Sequence, residues 1–400
     1  MAGSKGPLDG IIVLDMSRIL AGPTCTQALG DLGATILKIE HPERGDDTRT
    51  WGPPFALDAE GNPTDLSSYF MSANRNKLSV GVDIATPEGQ ETIRAMAARA
   101  DVVIENFKPG GLEKYSLDHH SLLTAFPHLV YCSISGFGQT GPNREKPGYD
   151  LMAQGYSGIM ALTGEAEGAP AKVAVGIADV MTGMYAALGI LAALRHRDAT
   201  GEGQHIDLSL VDATVAWMIN EGVAHLTTGK PRIRRGHQHA TIVPYQTFAA
   251  SDGYVLIAVG NDTQYQRFCD FLGRPDLAED ARFATNPARL EHRETLIPML
   301  EALVAEHNQA DIVAGLEARK VPVGPGNTVD QAFASDQVAA RGMRIDMEKS
   351  GIDRGGVELI GNPLKLSKTP VTYRRPPPSK GEDTAAVLAW LNGQADLPDA

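Results

Sequence analysis

The chain has 400 residues, 42% of them apolar and 21% charged, with a formal net charge of −13. That length exceeds the ~250–300 residues at which one core usually stops growing, so two domains are expected. The acidic balance argues against nucleic acid or an anionic membrane as partner, and an anionic ligand needs its own local cluster of donors.

The first half alternates strand and helix patterns. Ile11–Asp15 (IIVLD) is a short apolar run, expected as a buried strand. A helix is expected through Cys25–Leu32, with Thr24 as N-cap and Gly33 as stop. Ala34–Glu40, Leu78–Val82, Asp101–Glu105 and Leu129–Ile134 are the next strand patterns. Between them, Thr86-Pro87-Glu88 opens a helix running to Ala98, with Thr86 as cap and Pro87 at the first position. Gln154–Leu162 and Val180–Arg195 have helical patterns. Such alternation implies right-handed crossovers and a largely parallel α/β sheet, with ligands at the carboxyl ends of its strands. Arg18, Arg44, Arg49, Arg75, Lys77, Lys108 and Lys114 all fall near those ends, where several converging cations would make a polyphosphate site.

After Arg197 the character changes. Asp198–Gln204 (DATGEGQ) is rich in turn residues, and 201–224 reads as a linker. A smaller α/β domain is expected over 225–330, with a strand at Tyr254–Gly260 and helices at Tyr265–Leu272, Arg293–His307 and Ala310–Arg319. Residues 331–400 read as a second linker and a return to the first domain (1–200), ending in a helix at Ala385–Asn392.

Several chemistries find no support. There is no G-x-G-x-x-G after the first strand, and no Walker A, HExxH or GxSxG motif. Cys25, Cys132 and Cys269 are odd in number and widely spaced, which argues against a disulfide framework or zinc site and for a reducing compartment. His237 and His239 have no Cys/His cluster beside them and read as loop residues, so no metal is expected. The N-terminus MAGSKGPLDG lacks a secretory pattern, and no run of ~18 apolar residues is seen, so no membrane span is expected and the cytosol is the default location.

One segment carries more information. Val173–Leu194 is apolar and glycine-rich with a single acidic residue, Asp179. Two readings fit it. Asp179 is a helix N-cap, or it is a nucleophile kept ionised by the helix N-terminus with no basic partner adjacent. Tyr149-Asp150, after a Gly/Pro loop, is likewise either a capping turn or a polar pair beside a ligand.

Taken together, PLDGIIVLDMSRILAGPTCTQALGDLGATILKIEHPERGDDTR, NRNKLSVGVDIATPEGQE, ADVVIENFKPGGLEKY, YCSISGFGQTGP, GYDLMAQGYSGIM, VGIADVMTGMYAALGILAAL and IVPYQTF resemble the family III CoA transferases nearly end to end. DDTRTWGPP, SANRNK and IVPYQTF are most similar to the branch that uses succinyl-CoA and a second dicarboxylate such as glutarate or malate. The resemblance implies a Rossmann-like large domain and a small α/β domain in an interlocked homodimer. It implies a CoA thioester as substrate, with no ATP and no metal, and Asp179 as nucleophile. It places CoA contacts at Leu20, Ala21, His41, Val82, Asp83, Ile84, Ala85, Asn106, Phe107, Lys108, Lys114, Tyr149 and Asp150. Leu20, His41 and Ala85 depart from the formyl-CoA transferase pattern, which argues against formate and oxalate. His237, Gln238 and His239 stand where that enzyme has a glycine-rich lid and are expected at the substrate. For the far carboxylate of a diacid, Arg18 and Arg49 are the expected partners, with Trp51 and Tyr149 shaping the pocket. The α-methylacyl-CoA racemases share the fold but carry a histidine where Tyr149 stands. Tyrosine, with a reference pKa of ~10, is a poor base for two-base proton transfer. A non-catalytic acyl-CoA binder is the third reading.

Overall fold

The computed structural model describes residues 6–398. The chain divides into two compact units. One comprises the described residues through Ile159, Lys172–Gly229 and those from Gln337 on; the other comprises Met160–Ala171 and Lys230–Asp336.

The first unit is built on six parallel strands. They are β1 (Ile12–Asp15), β2 (Thr35–Glu40), β3 (Lys77–Gly81), β4 (Val102–Glu105), β5 (Val130–Ser135) and β6 (Gln204–Ser209). Their order is β3-β2-β1-β4-β5-β6. This is the doubly wound order, in which the winding reverses between β1 and β4 and opens a crevice at the carboxyl ends there. The fold is therefore α/β with a parallel central sheet, as the alternation of patterns implied. Burial on both faces explains why these strands read as continuous apolar runs. Gln204–Ser209 was expected in a linker. It is an edge strand whose inner positions are only half-buried, so it lacks the apolar run that marked the others. A hairpin of Phe55–Leu57 and Pro63–Ser67 also escaped the sequence pattern, its strands being short and mostly half-buried, with no apolar run.

Helix α1 (Ala21–Asp31) starts three residues before the expected cap. Leu20 holds the N-cap position without a side-chain bond, and Thr24 lies inside the helix. By contrast, the Thr86 hydroxyl does accept from Gly89 N–H at 3.0 Å and starts α2 (Pro87–Ala97) as expected. Helix α3 (His119–Ala125) follows β4. Helix α4 (Asp150–Ser157) precedes the long α5 (Ile177–Thr200).

Helix α5 spans 24 residues and is long and apolar enough, by length and composition, to cross a membrane, contrary to the expectation that no such segment exists. Its Ala178, Thr182, Gly183, Ala186, Ile190 and Ala193 are buried against the sheet's core. Gly183 permits the approach to α1: a Cβ there would lie 2.5 Å from the Ala21 carbonyl oxygen. The opposite face of the sheet is covered by α2, α3 and the helix Thr384–Leu391, through Ile93, Met96, Leu122 and Val387.

The second unit holds a three-stranded antiparallel sheet of Tyr245–Ala250, Gly253–Ala258 and Val323–Pro325. Helices Asp262–Phe271, Arg293–Val304 and Gln309–Ala318 pack on it around Phe248, Val255, Phe268, Leu300 and Leu316.

Candidate active site

The crevice at the β1/β4 reversal is a cleft of about 660 Å³. Its walls come from the segments following β1, β4 and β5 and from the first turn of α5. Of the residues singled out from sequence, Arg18, Ala21, Trp51, Asn106, Phe107, Lys108, Tyr149 and Asp179 line it. Ile19, Asp47 and Lys146, not singled out for it, line it too.

The turn after β1 is held in an unusual conformation. Ile19 has φ 73°, a left-handed geometry that disfavours a β-branched residue by ~1–3 kcal/mol. Two anchors fix it. Asn106 brackets the preceding residue, its Oδ1 accepting from Arg18 N–H at 2.9 Å and its Nδ2 donating to the Arg18 carbonyl at 2.7 Å. On the other side Ile19 N–H points to the Asp46 carboxylate at 3.4 Å. Asp46 is itself buried with Lys38 at 2.8 Å. Burial opposes its charge, but Lys38 and the Thr48 hydrogen bonds outweigh that and bring it down to about 2.

The Tyr149-Asp150 pair is brought in by a backbone approach. Gly136, after β5, and Gly148 touch so closely that a Cβ on Gly136 would lie 2.4 Å from the Gly148 Cα. Tyr149 is the N-cap of α4 and stands exposed at the cleft. Asp150 does not cap its own helix with a side-chain bond. It turns to α5, where its Oδ1 accepts from Ala178 N–H at 2.8 Å. Buried Gln154 locks it, donating from Nε2 to Asp150 Oδ2 at 2.7 Å while its Oε1 accepts from Val173 N–H at 2.9 Å. Asp150 therefore serves α5 as a cap from another helix, the local N-cap being Gly176.

Asp179 sits in the first turn of α5, three residues after that N-cap, so the capping reading does not hold. Nor does the helix terminus keep its charge easy. Burial, and then the negative charge of Asp150, push the carboxyl up from 3.8 to about 7. Among the described residues no cation offsets this. Tyr69, which the sequence pattern did not single out, is also pushed up, by burial and then by the charges of Asp179, Asp150 and Asp46. Its ring meets Trp51 edge-on at 5.0 Å. The only sequence signal was its place in the short SYFM segment after a capping serine, which reads as ordinary core.

The other expected site residues lie elsewhere. Arg49 is buried and committed: its Nε and Nη2 donate to the two oxygens of Glu40 at 2.7 Å, Nη1 donates to Asp65 at 2.9 Å, and the guanidinium lies 3.7 Å from the Phe70 ring centroid. It has no donor to spare for a substrate. Arg75 and Lys77 are likewise buried with Asp31 and Asp15, so three of the seven cations read as convergent are part of the core. Leu20 is buried, His41 accepts from Glu43 and Arg44 N–H, and Lys114 rests over Tyr115. Val82, Asp83, Ile84 and Ala85 form the turn entering α2, Asp83 accepting from Ala85 N–H at 3.0 Å. None of these lines the cleft. His41 and Val82 do follow β2 and β3 directly, on the same carboxyl edge of the sheet. His237, Gln238 and His239 belong to the second unit, where Arg293 donates to the Gln238 side chain and the His239 carbonyl. No group of three or more metal-ligating side chains occurs among the described residues. The three cysteines are free and buried.

A doubly wound sheet with a part-buried carboxylate at its switch-point crevice is the arrangement of a ligand-binding α/β protein. Residues 8–384 match CoA-transferase family III, and the chain belongs to that family. It is 45% identical to a succinate–glutarate CoA-transferase of Agrobacterium fabrum, over 98% of this chain and 97% of that one. It is 39% identical to the human succinyl-CoA:glutarate CoA-transferase, over 96% of this chain and 85% of that one. Its fold superposes on a CAIB/BAIF family protein from Brucella suis with a TM-score of 0.87 and 46% identity, covering 97% of this chain and all of the other. The protein is an enzyme, a CoA-transferase whose substrates are CoA thioesters.

Proposed function

We propose that the enzyme moves CoA from succinyl-CoA to glutarate or a similar dicarboxylate through covalent intermediates on Asp179. The observation that carries this is the Asp179 carboxylate at the cleft, in no ion pair among the described residues, its anion disfavoured by burial and by Asp150 and so made more nucleophilic. The names of the relatives supply the acids.

An Asp179 oxygen attacks the succinyl-CoA carbonyl, and the C–S bond breaks to give a mixed anhydride and CoA thiolate. The thiolate attacks Cγ of Asp179, the anhydride C–O bond breaks, and succinate leaves behind an aspartyl-CoA thioester. A glutarate carboxylate then attacks that carbonyl and releases the thiolate, which takes the glutaryl group and frees Asp179. The cycle begins and ends with a CoA thioester of similar energy, so it needs no ATP. Each tetrahedral intermediate needs N–H donors aimed at its oxyanion, each worth ~3–4 kcal/mol when aimed well. With Arg49 committed to Glu40, Arg18 and Lys146 are the cations for the far carboxylate. The nucleotide end of CoA extends along the carboxyl edge past His41 and Val82–Ala85.

The same reading holds that the enzyme works as an interlocked homodimer in a reducing compartment, the cytosol by default. Supporting it are the exposed apolar side chains Met184, Tyr185, Leu188 and Leu191 on α5 and the three free cysteines.

The test is incubation with succinyl-CoA, trapping with borohydride or hydroxylamine, and intact-mass spectrometry with peptide mapping. An adduct at Asp179 and glutarate-dependent formation of glutaryl-CoA are expected. Full exchange in Asp179→Ala, or exchange of an α-proton without acyl exchange, defeats the proposal.

A further inference from the structure

Beneath the cleft's β4 wall lies a second polar cluster that the transfer chemistry leaves unused. Glu105 ends β4, is 6% exposed, and forms no ion pair among the described residues. One of its oxygens accepts from Phe107 N–H at 2.8 Å, and the pairing of β4 with β5 sets Ser133 opposite Glu105, its hydroxyl helping to hold the carboxyl's charge. Ser133 Oγ is in turn 3.0 Å from His205 Nε2 on β6, and His205 stacks on His119 with ring centroids 3.9 Å apart. Glu105, Ser133 and His119 line a small polar cavity of about 30 Å³ together with Lys108 and Gly111, which also line the main cleft.

The geometry points to Glu105 as a positioning residue for CoA: its ionised carboxylate anchors the Phe107 peptide and so sets the 106–111 wall against which the cofactor lies. This rests on the reading that this wall holds CoA. The Glu105–Ser133–His205 chain has two self-consistent polarities. With Glu105 ionised, Ser133 donates to the carboxylate and His205 Nε2–H donates to Ser133. With Glu105 protonated, the carboxyl donates to Ser133 and Ser133 donates to an unprotonated Nε2, with His205 neutral throughout. Only the first polarity gives Phe107 N–H a charged acceptor, and such bonds are about twice as strong as neutral ones. Burial pushes Glu105 up to about 7, so the two forms exchange near neutrality.

The surrounding charges do not fix the answer otherwise. On its own loop stand Lys108 and Glu113; α3 presents Asp118 and His119; β5 presents Tyr131 and Cys132; β6 presents His205 and Asp207. Tyr131 and Cys132 are pushed up by burial and stay neutral, and His205 is pushed down to about 4 by burial and His119. Lys108 is the one cation among these groups.

The experiment measures CoA binding by calorimetry from pH 6 to pH 8 in Asp179→Asn, which removes the other group titrating there. Glu105→Gln on that background imitates the protonated form, its amide donating to Ser133 and its oxygen accepting from Phe107. Because the 3′-phosphate of CoA also titrates near pH 6, the quantity read is the ratio of the two Kd values. We expect Glu105→Gln to bind about five-fold more weakly at pH 8 and equally at pH 6. It should meanwhile melt higher at pH 8, since it removes a buried charge, so lost stability cannot mimic the effect. A ratio that does not change with pH overturns the inference. Lys108→Ala tests the underlying reading separately: an unchanged Kd there overturns both, whereas a weakened Kd beside a pH-flat ratio overturns the Glu105 role alone.

Discussion

Replacing Asp179 should stabilise the protein, most strongly in its alkaline range. Burial and Asp150 raise the Asp179 carboxyl from 3.8 to about 7 in the folded chain. Between those values the unfolded chain has released this proton while the native chain retains it. The contribution to stability is therefore full below about pH 4 and is lost as pH rises through about 7. A shift of about three units at 1.36 kcal/mol each sets a ceiling of about 4 kcal/mol on the cost of holding the anion. Asp179 is partly exposed at the cleft, so solvent screening reduces the expected gain to ~1–3 kcal/mol. Asp179→Asn keeps the shape and removes the charge. Urea unfolding of wild type and variant, at matched protein concentration and at pH 5 and pH 8, reads the difference directly. The variant should be more stable by that amount at pH 8, by clearly less at pH 5, and should transfer no CoA. An equal gain at both pH values, or a loss at pH 8, would refute the argument that ionisation of this residue is disfavoured in the fold. The physical point is that a site shaped for covalent chemistry stores free energy in the resting state that the reaction then uses.

Two further outcomes follow from the same contacts. Asp150→Asn keeps an oxygen for Ala178 N–H but removes the like charge, so the acid limb of the kcat–pH profile should move down by about one unit; a limb that stays put removes Asp150 from the account of the nucleophile. Arg49→Met leaves Glu40 buried without its main partner and should cost ~3–5 kcal/mol of stability in denaturant. If the variant instead folds normally and only glutarate binding is lost, Arg49 is a substrate residue after all.

The strands β1 to β5 were legible because both of their faces are buried, which forces near-continuous apolar runs. The edge strand β6 and the 55–67 hairpin were not, because half-exposed strands carry no such run. Thr86 announced its helix because a cap is a local device, a hydroxyl and an N–H three residues on. The cap of α5 was invisible for the opposite reason. It is Asp150, 28 residues away, locked by Gln154. The motifs identified the family and singled out Asp179, since those depend on residue identity and spacing alone. They misjudged its ionisation, which depends on the dielectric and on a charge that only the fold brings near. They misjudged Arg49, Arg75 and Lys77 likewise. A cation near a strand end looks the same in sequence whether it faces a ligand or a buried Glu40, Asp31 or Asp15. Residue chemistry and the alternation of patterns thus determined the fold class and the family, and singled out Asp179. Which charges neutralise each other, and which are left for a substrate, is a matter of distances across the sheet, and only the tertiary structure decided it.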